Sequence, residues 1–210
     1  MRVRFLRYAF HHFYNTFAWS YDAVSAVISL GHWREWTRSA IPYLRGTRIL
    51  EIAFGTGNLQ LDMDAAGFTP FGADLSPDMV RITAHKLRAA GFQARLARSS
   101  VHNLPYADES FDSLVLTFPP NFLASPRAIS EMRRVLRAGG RLILVDNGQL
   151  RKPSVLSGLV NLAFRFTGTV AAHIDPADPL RASGFDVSIV WAGDARSTAQ
   201  VLIARKITLA

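Results

Sequence analysis

The 210-residue sequence predicts an α/β fold: a seven-stranded, mostly parallel sheet flanked by helices and ending in an antiparallel hairpin. Three observations predict it. From Gly46 onward short β-rich runs alternate with helical patterns, the signature of βα units. The helical runs stop at Gly67, Gly91 and Gly139-Gly140. The last two strand-like runs are separated only by Ala192 to Thr198, too short for a parallel crossover, so they pair antiparallel.

The first strand is Arg48 to Ala53, closed by the turn Phe54-Gly55-Thr56-Gly57 and followed by a helix over Asn58 to Ala66. The second strand, Thr69 to Asp74, gives way at Ser76-Pro77 to a helix through Ala90, with Pro77 in the first turn where a missing N–H costs nothing. The third strand is Gln93 to Arg98 and the fourth Ser113 to Thr117. A helix between Pro126 and Arg137 carries Ile129, Met132, Val135 and Leu136 on one face, and Arg141 to Asp146 is the fifth strand. A short helix at Pro176 to Ser183 and strands at Val187 to Trp191 and Ala199 to Lys206 complete the pattern. With 49% hydrophobic residues, the chain supports one sizeable core rather than two. It divides into an N-terminal helical cap, 1–45, and a domain, 46–210, with an apolar, lid-like insertion at about 150–172.

There are no cysteines, which excludes disulfides, zinc-thiolate sites and thiol nucleophiles; no metal site is expected. The net charge of +8 is compatible with a merely basic surface and with an acidic partner such as an anionic membrane. No nucleic-acid recognition motif accompanies the charge, so nucleic acid is not an expected partner. His11, His12 and Asn15 interrupt the apolar N-terminal run, which argues against an exported signal peptide, and no run reaches the ~20 apolar residues of a spanning helix. A cytoplasmic protein, soluble or peripheral to the membrane, is expected. The basic-aromatic stripe over residues 3–21 packs on its own domain or lies in an interface.

Glu51-x-Ala53-x-Gly55-x-Gly57 sets an acid at the end of a strand and two glycines in the following turn, where a backbone without Cβ atoms lets a ligand approach the helix N-terminus. Asp74, at the end of the second strand, is placed to accept hydrogen bonds from ribose hydroxyls. Ser76 can cap the next helix, which frees Asp74 for a ligand. The terminal hairpin and the absence of a full Gly-x-Gly-x-x-Gly argue against a nicotinamide-dependent reductase.

These residues, with Ala73-Asp74-Leu75-Ser76-Pro77-Asp78-Met79, Asn103-Leu104-Pro105-Tyr106 and Glu131-Met132-Arg133-Arg134-Val135-Leu136-Arg137-Ala138-Gly139-Gly140, resemble the Rossmann-like class I S-adenosylmethionine-dependent methyltransferases. The likeness is to the ubiquinone/menaquinone biosynthesis C-methyltransferases and their phospholipid N-methyltransferase relatives. Tyr21-Asp22 and Ser29-Leu30-Gly31-His32-Trp33 look like that group's N-terminal helices. The resemblance implies S-adenosylmethionine as donor, S-adenosylhomocysteine as product, and a small, lipophilic acceptor such as a quinol or lipid. It implies that Glu51, Ala53, Gly55 and Gly57 line the methionine end, that Asp74 holds the ribose with Leu75 and Met79 near it, that Thr56, Ser100, Val101 and Phe118 also border the donor, and that Tyr21 closes over it.

Two departures stand out. The group's Gly-Asp-Ala, whose acid bonds the adenine amino group, is here Ser99-Ser100-Val101, leaving Ser100 one hydrogen bond to offer. Thr117-Phe118-Pro119-Pro120-Asn121-Phe122 echoes the Asn/Asp-Pro-Pro-Tyr/Phe motif of amino-group methyltransferases, with Phe118 where the polar residue belongs. This reads as an apolar wall or a rigid loop. A phospholipid or other small-molecule N-methyltransferase, and a silent binding module that kept the fold, stand as alternatives. Methyl transfer from a sulfonium needs a base only if the acceptor must lose a proton, and the candidates are His102, His173 and His32.

Overall fold

The structure, a computed structural model, describes residues 22, 25, 26, 29–119, 122–150 and 176–207. Tyr21, His173, the aromatic stripe over 3–21 and the lid-like insertion from 151 onward lie outside the described residues. The elements are α1 (Trp33–Arg38), β1 (Arg48–Ile52), α2 (Asn58–Ala65), β2 (Thr69–Asp74), α3 (Pro77–Ala89), β3 (Leu96–Arg98), β4 (Phe111–Thr117), α4 (Pro126–Val135), β5 (Leu136–Leu150), α5 (Ala177–Ala182), β6 (Phe185–Gly193) and β7 (Ser197–Lys206).

The described strands form one seven-stranded sheet in the order β3-β2-β1-β4-β5-β7-β6. β1 to β5 run parallel, and β7 enters antiparallel between β5 and β6. The chain winds outward from β1 to β3, then returns to lay β4 on the other side of β1. That reversal opens a crevice at the carboxyl ends of β1 and β4, where open α/β sheets bind ligands.

Alternation along the strands builds a core on each face. Leu50, Leu114, Leu116, Leu142, Leu144 and Leu202 pack toward α4 and α5, whereas Ile49, Val115, Ile143, Val145 and Val201 pack toward Trp36, Leu59 and Met63 of α1 and α2. Each such side chain, fully buried, contributes about 1.5–3 kcal/mol. Pro70 sits inside β2 without breaking it, because β3 joins only from Gly72; the absent N–H falls on a stretch with no neighbour to bond.

Several boundaries differ from the sequence expectation. Gly139-Gly140 does not end a helix: α4 stops at Val135, and Leu136 already pairs with Phe111, so these glycines lie within β5. A register shift between Phe111 and Ser113 absorbs the early start. β3 is shorter than Gln93 to Arg98, its ladder beginning opposite Gly72. The final hairpin is tighter than expected, with three residues, Asp194 to Arg196, between β6 and β7. The Asp194 carboxylate accepts the N–H groups of Arg196 and Ser197 at 2.7 and 3.0 Å, an Asx turn that closes it. Among the described residues no helix is long and apolar enough to cross a membrane.

Candidate active site

β1 ends in a turn with three left-handed residues, Ala53 (φ 58°), Gly55 (φ 56°) and Gly57 (φ 77°). Gly57 is obligatory on two counts: its φ is positive, and a Cβ there would lie 2.2 Å from Thr83 Cγ2 of α3. Thr83 Oγ1 in turn donates to the Gly55 carbonyl at 3.0 Å. α3 is shaped to deliver it. Ser76 caps the helix through the Met79 N–H, Pro77 occupies its first turn, and Met79, Thr83 and Leu87 form its buried stripe. A threonine in that otherwise apolar stripe is the one sequence signal of this contact, and the sequence reading missed it.

Asp74 is not free. One carboxylate oxygen accepts the Gly55 N–H at 3.1 Å and the other the Ser76 N–H at 2.8 Å. Ser76 does cap α3, but the turn leaves its own amide pointing at Asp74, so the acid ties the end of β2 to the turn after β1. Burial raises the Asp74 pKa, only partly offset by the N–H groups of Ser76, Gly55 and Leu75. Glu51 is 2% exposed and receives the Gln60 amide at 2.8 Å. Burial pushes its pKa up to about 8; the Gln60 bond opposes this, and Asp74 and Asp62 add to it. Among the described residues neither Glu51 nor Asp74 has an ion-pair partner.

The other expected residues separate into an exposed rim and a buried support. Leu75 is 62% exposed beside Asp74, whereas Met79 is fully buried against Phe54, beneath the turn. Val101 and Thr56 are buried. The Ser100 hydroxyl meets His102 Nδ1 at 3.1 Å, and His102 Nε2 meets the Ser125 hydroxyl at 3.1 Å. Both ring nitrogens are thus engaged, and His102 links Ser100 to Ser125, the cap of α4.

Across the crevice, Phe118 holds a positive φ of 46° and stacks on Trp33 with ring centroids 4.4 Å apart. Trp36 and then His32 continue this aromatic row at 6.1 and 6.4 Å. Trp33, Thr37 and Phe118 share one cleft with Ala53, Thr56 and Asn58. His32 lies behind Trp36 and does not line this cleft; its Nδ1 is 2.7 Å from Glu35 Oε2 and 3.1 Å from Ser197 Oγ.

A reversing parallel sheet, a left-handed turn after β1, an acid ending β2 and an antiparallel β7 define the class I methyltransferase fold. Solved structures agree: this chain superposes on a SAM-dependent methyltransferase of Thermotoga maritima with a TM-score of 0.62 at 20% identity, covering 93% of this chain and 99% of that one. On a geranyl diphosphate methyltransferase in complex with SAM it gives 0.61 at 14% identity, covering 83% and 84%. At these identities the likeness is one of fold.

The chain belongs to the ubiE/COQ5 methyltransferase family, whose sequence model matches residues 5–170. It is 33% identical over 142 residues to a ubiquinone/menaquinone biosynthesis C-methyltransferase of Geotalea uraniireducens, covering 63% of this chain and 60% of that protein. It is also 33% identical over 151 residues to a demethylmenaquinone methyltransferase of Deinococcus radiodurans, covering 69% and 61%. The chain thus spans about three fifths of the length of these curated relatives.

Proposed function

We propose that the protein is an S-adenosylmethionine-dependent methyltransferase acting on a small, lipophilic acceptor of quinol type. One observation carries the donor assignment: beside a glycine turn, the buried carboxylate of Glu51 and the part-buried one of Asp74 have no ion-pair partner among the described residues. Buried acids are ordinarily paired, so a site of this kind suits a ligand that brings positive charge and hydroxyls. S-adenosylmethionine offers an ammonium and a sulfonium, together with a ribose whose hydroxyls can use the remaining lone pairs of Asp74. In this reading Ala53, Gly55, Thr56 and Gly57 approach the methionine end, Leu75 borders the ribose, Ser100 and Val101 flank the adenine, and Tyr21 covers the donor.

The Trp33–Phe118 stack supports a flat, apolar acceptor, and the names of the relatives point to quinone precursors. The methyl group passes in line from the sulfonium to the acceptor. The S–CH₃ bonding pair stays on sulfur, leaving S-adenosylhomocysteine, and an acceptor carbon sheds its proton after the new bond forms. Most of the rate then comes from holding the partners in attack geometry. Among the described candidate histidines, His102 has both ring nitrogens engaged and His32 lies outside the cleft, so the proton passes to water. A basic chain of net charge +8 would meet a membrane-dissolved acceptor at an anionic surface.

Calorimetric titration with S-adenosylhomocysteine, with Asp74→Ala alongside, tests the donor site. Micromolar binding, weakened about 100-fold in the variant, is expected; equal binding by a folded variant refutes the site. Transfer of labelled methyl to a short-chain naphthoquinol under reducing conditions, with no transfer to ethanolamine phospholipid, tests the acceptor class.

A further inference from the structure

The turn after β1 concentrates left-handed backbone at Ala53, Gly55 and Gly57, and the non-glycine member costs of order 1–3 kcal/mol to hold. Such a turn keeps its shape only if its surroundings impose it. Thr83 does so from the α3 side. A second hold comes from a residue well outside the sheet, Asp22. Its Oδ1 accepts the Thr56 hydroxyl at 2.5 Å and the Asn58 amide at 3.0 Å. Its Oδ2 accepts Lys86 Nζ at 2.7 Å, and the same ammonium donates to Asn58 Oδ1 at 3.1 Å.

One carboxylate thus joins three separate pieces of chain: its own segment, the turn, and the last turn of α3. Both ends of the Asn58 amide are specified, the nitrogen by Asp22 and the oxygen by Lys86. Thr56 and Asn58 flank Gly57, so fixing their side chains fixes the glycine between them. Gly57, at the α2 N-cap position, has no side chain to cap the helix, which leaves the first N–H groups of α2 available to a ligand. Although the Asp22–Lys86 pair is partly solvated, its charges cancel, so the brace adds no uncompensated field beside the two cation-seeking acids. Burial raises the Asp22 pKa, but the bonds from Lys86, Thr56 and Asn58 outweigh it and hold the carboxyl below its ordinary value.

We propose that Asp22 is a positioning residue for methyl-donor binding: it braces Thr56 and Asn58 from outside the sheet and so holds the glycine turn in its binding-competent shape before the donor arrives. The proposal rests on the donor-site reading above. If the turn is competent for only a fraction of the time, apparent affinity falls by that fraction. Removing the brace therefore weakens the donor without removing any group that touches it.

The experiment measures S-adenosylhomocysteine affinity and melting temperature for wild type, Asp22→Ala, Asp22→Asn, Lys86→Met and the Asp22→Ala/Lys86→Met pair. Expected are a Kd about 10-fold higher for Asp22→Ala at a melting temperature close to wild type, and recovery to within about 3-fold in Asp22→Asn, which keeps an oxygen for Thr56 and Asn58. Lys86→Met should add little to Asp22→Ala, since only its contact with Asn58 Oδ1 then remains to be lost. Unchanged affinity in Asp22→Ala overturns the proposal, as does a loss matched by collapse of melting temperature in every Asp22 and Lys86 variant, which would make the residue a structural anchor. Binding by wild type that is lost in Asp74→Ala and kept in Asp22→Ala overturns this inference alone. No binding by folded wild type overturns the donor site and this inference with it.

Discussion

Glu51 and Asp74, at the carboxyl end of the sheet, are treated in the opposite way to the acids at its amino end. At the amino end, Asp112 accepts the N–H groups of Thr47 and Arg48 at 3.0 and 2.9 Å and pairs with Arg137. Nearby, Glu131 pairs with Arg134, which also reaches Asp108. Burial raises the Asp112 pKa, and the Arg48 N–H, Arg137 and the Thr47 N–H outweigh it, so the net shift is downward. At the carboxyl end, Asp74 also accepts two backbone N–H groups, yet its pKa rises, and that of Glu51 rises further. Two differences set the signs: Glu51 and Asp74 are buried more deeply than Asp112, and Arg137 stands beside Asp112. At the amino end arginines pair with the acids there, whereas at the carboxyl end Lys86 pairs with Asp22 and Arg98 donates to the Leu75 carbonyl, so that among the described residues neither Glu51 nor Asp74 has an ion-pair partner. Acids with their own cations hold the scaffold together. Buried acids without them cost stability, and groups perturbed in this way cluster at functional sites.

The largest effect expected from disturbing the carboxyl end is at Gly57. Gly57→Val forces a branched side chain into φ 77° and against Thr83, costing about 4 kcal/mol. Chemical denaturation measures the loss, and S-adenosylhomocysteine should no longer bind at micromolar concentration.

Next comes Glu51, where the contrast becomes a pH profile. In the unfolded chain the carboxyl ionises in the ordinary range, whereas in the fold it keeps its proton until about pH 8. Between those values the folded state binds more protons, so this group makes stability fall as pH rises. The fall amounts to about 3 kcal/mol from pH 5 to pH 8. Glu51→Gln should lack that slope, so the gap between variant and wild type in denaturation experiments should widen steadily toward pH 8. An ammonium arriving beside Glu51 draws the proton off, and titration near pH 7 in buffers of different ionisation enthalpy should show proton release in wild type and none in the variant.

What the sequence disclosed and what it hid divide along the same line. β2 was legible to the residue, because Gly67 before it and Ser76-Pro77 after it are local punctuation. Gly55, Gly57 and Asp74 were legible as a constellation because each owes its place to one βα unit. β5 was misjudged: glycines that read as a helix stop sit inside a strand, since pairing of Leu136 with Phe111 overrode the local signal. The engagement of Asp74 by Gly55, the brace from Asp22 and the Trp33–Phe118 stack were hidden, because they join segments 19, 34 and 85 residues apart that only the folded topology brings together. Local patterns show which residues a turn contains; long-range contacts decide what shape it keeps.

The aromatic row across the crevice is a smaller lever. Trp33→Ala removes a stacked pair worth about 1 kcal/mol. It should raise KM for a quinol acceptor several-fold while leaving the S-adenosylhomocysteine Kd near wild type. A variant that loses donor affinity instead would shift the stack to the donor side of the crevice.

The smallest effect belongs to the amino end, and it completes the comparison. The Arg137 side chain is 45% exposed and its ion pair is screened by solvent, so Arg137→Met should cost no more than about 0.5 kcal/mol at neutral pH, shrinking further in 0.5 M salt, a strength at which roughly 4 Å suffices to screen. The sign with pH is opposite to that of Glu51. Because the Asp112 carboxyl is held below its ordinary value, its contribution is present above the ordinary carboxylate range and is lost as pH falls through its folded value. Melting curves of Arg137→Met and wild type should therefore differ slightly at pH 7 and converge at low pH, with donor affinity unaffected throughout. If Arg137→Met instead weakened donor binding as strongly as Asp22→Ala, charge at the amino end would be felt at the crevice, and the separation of scaffold acids from ligand acids would fail.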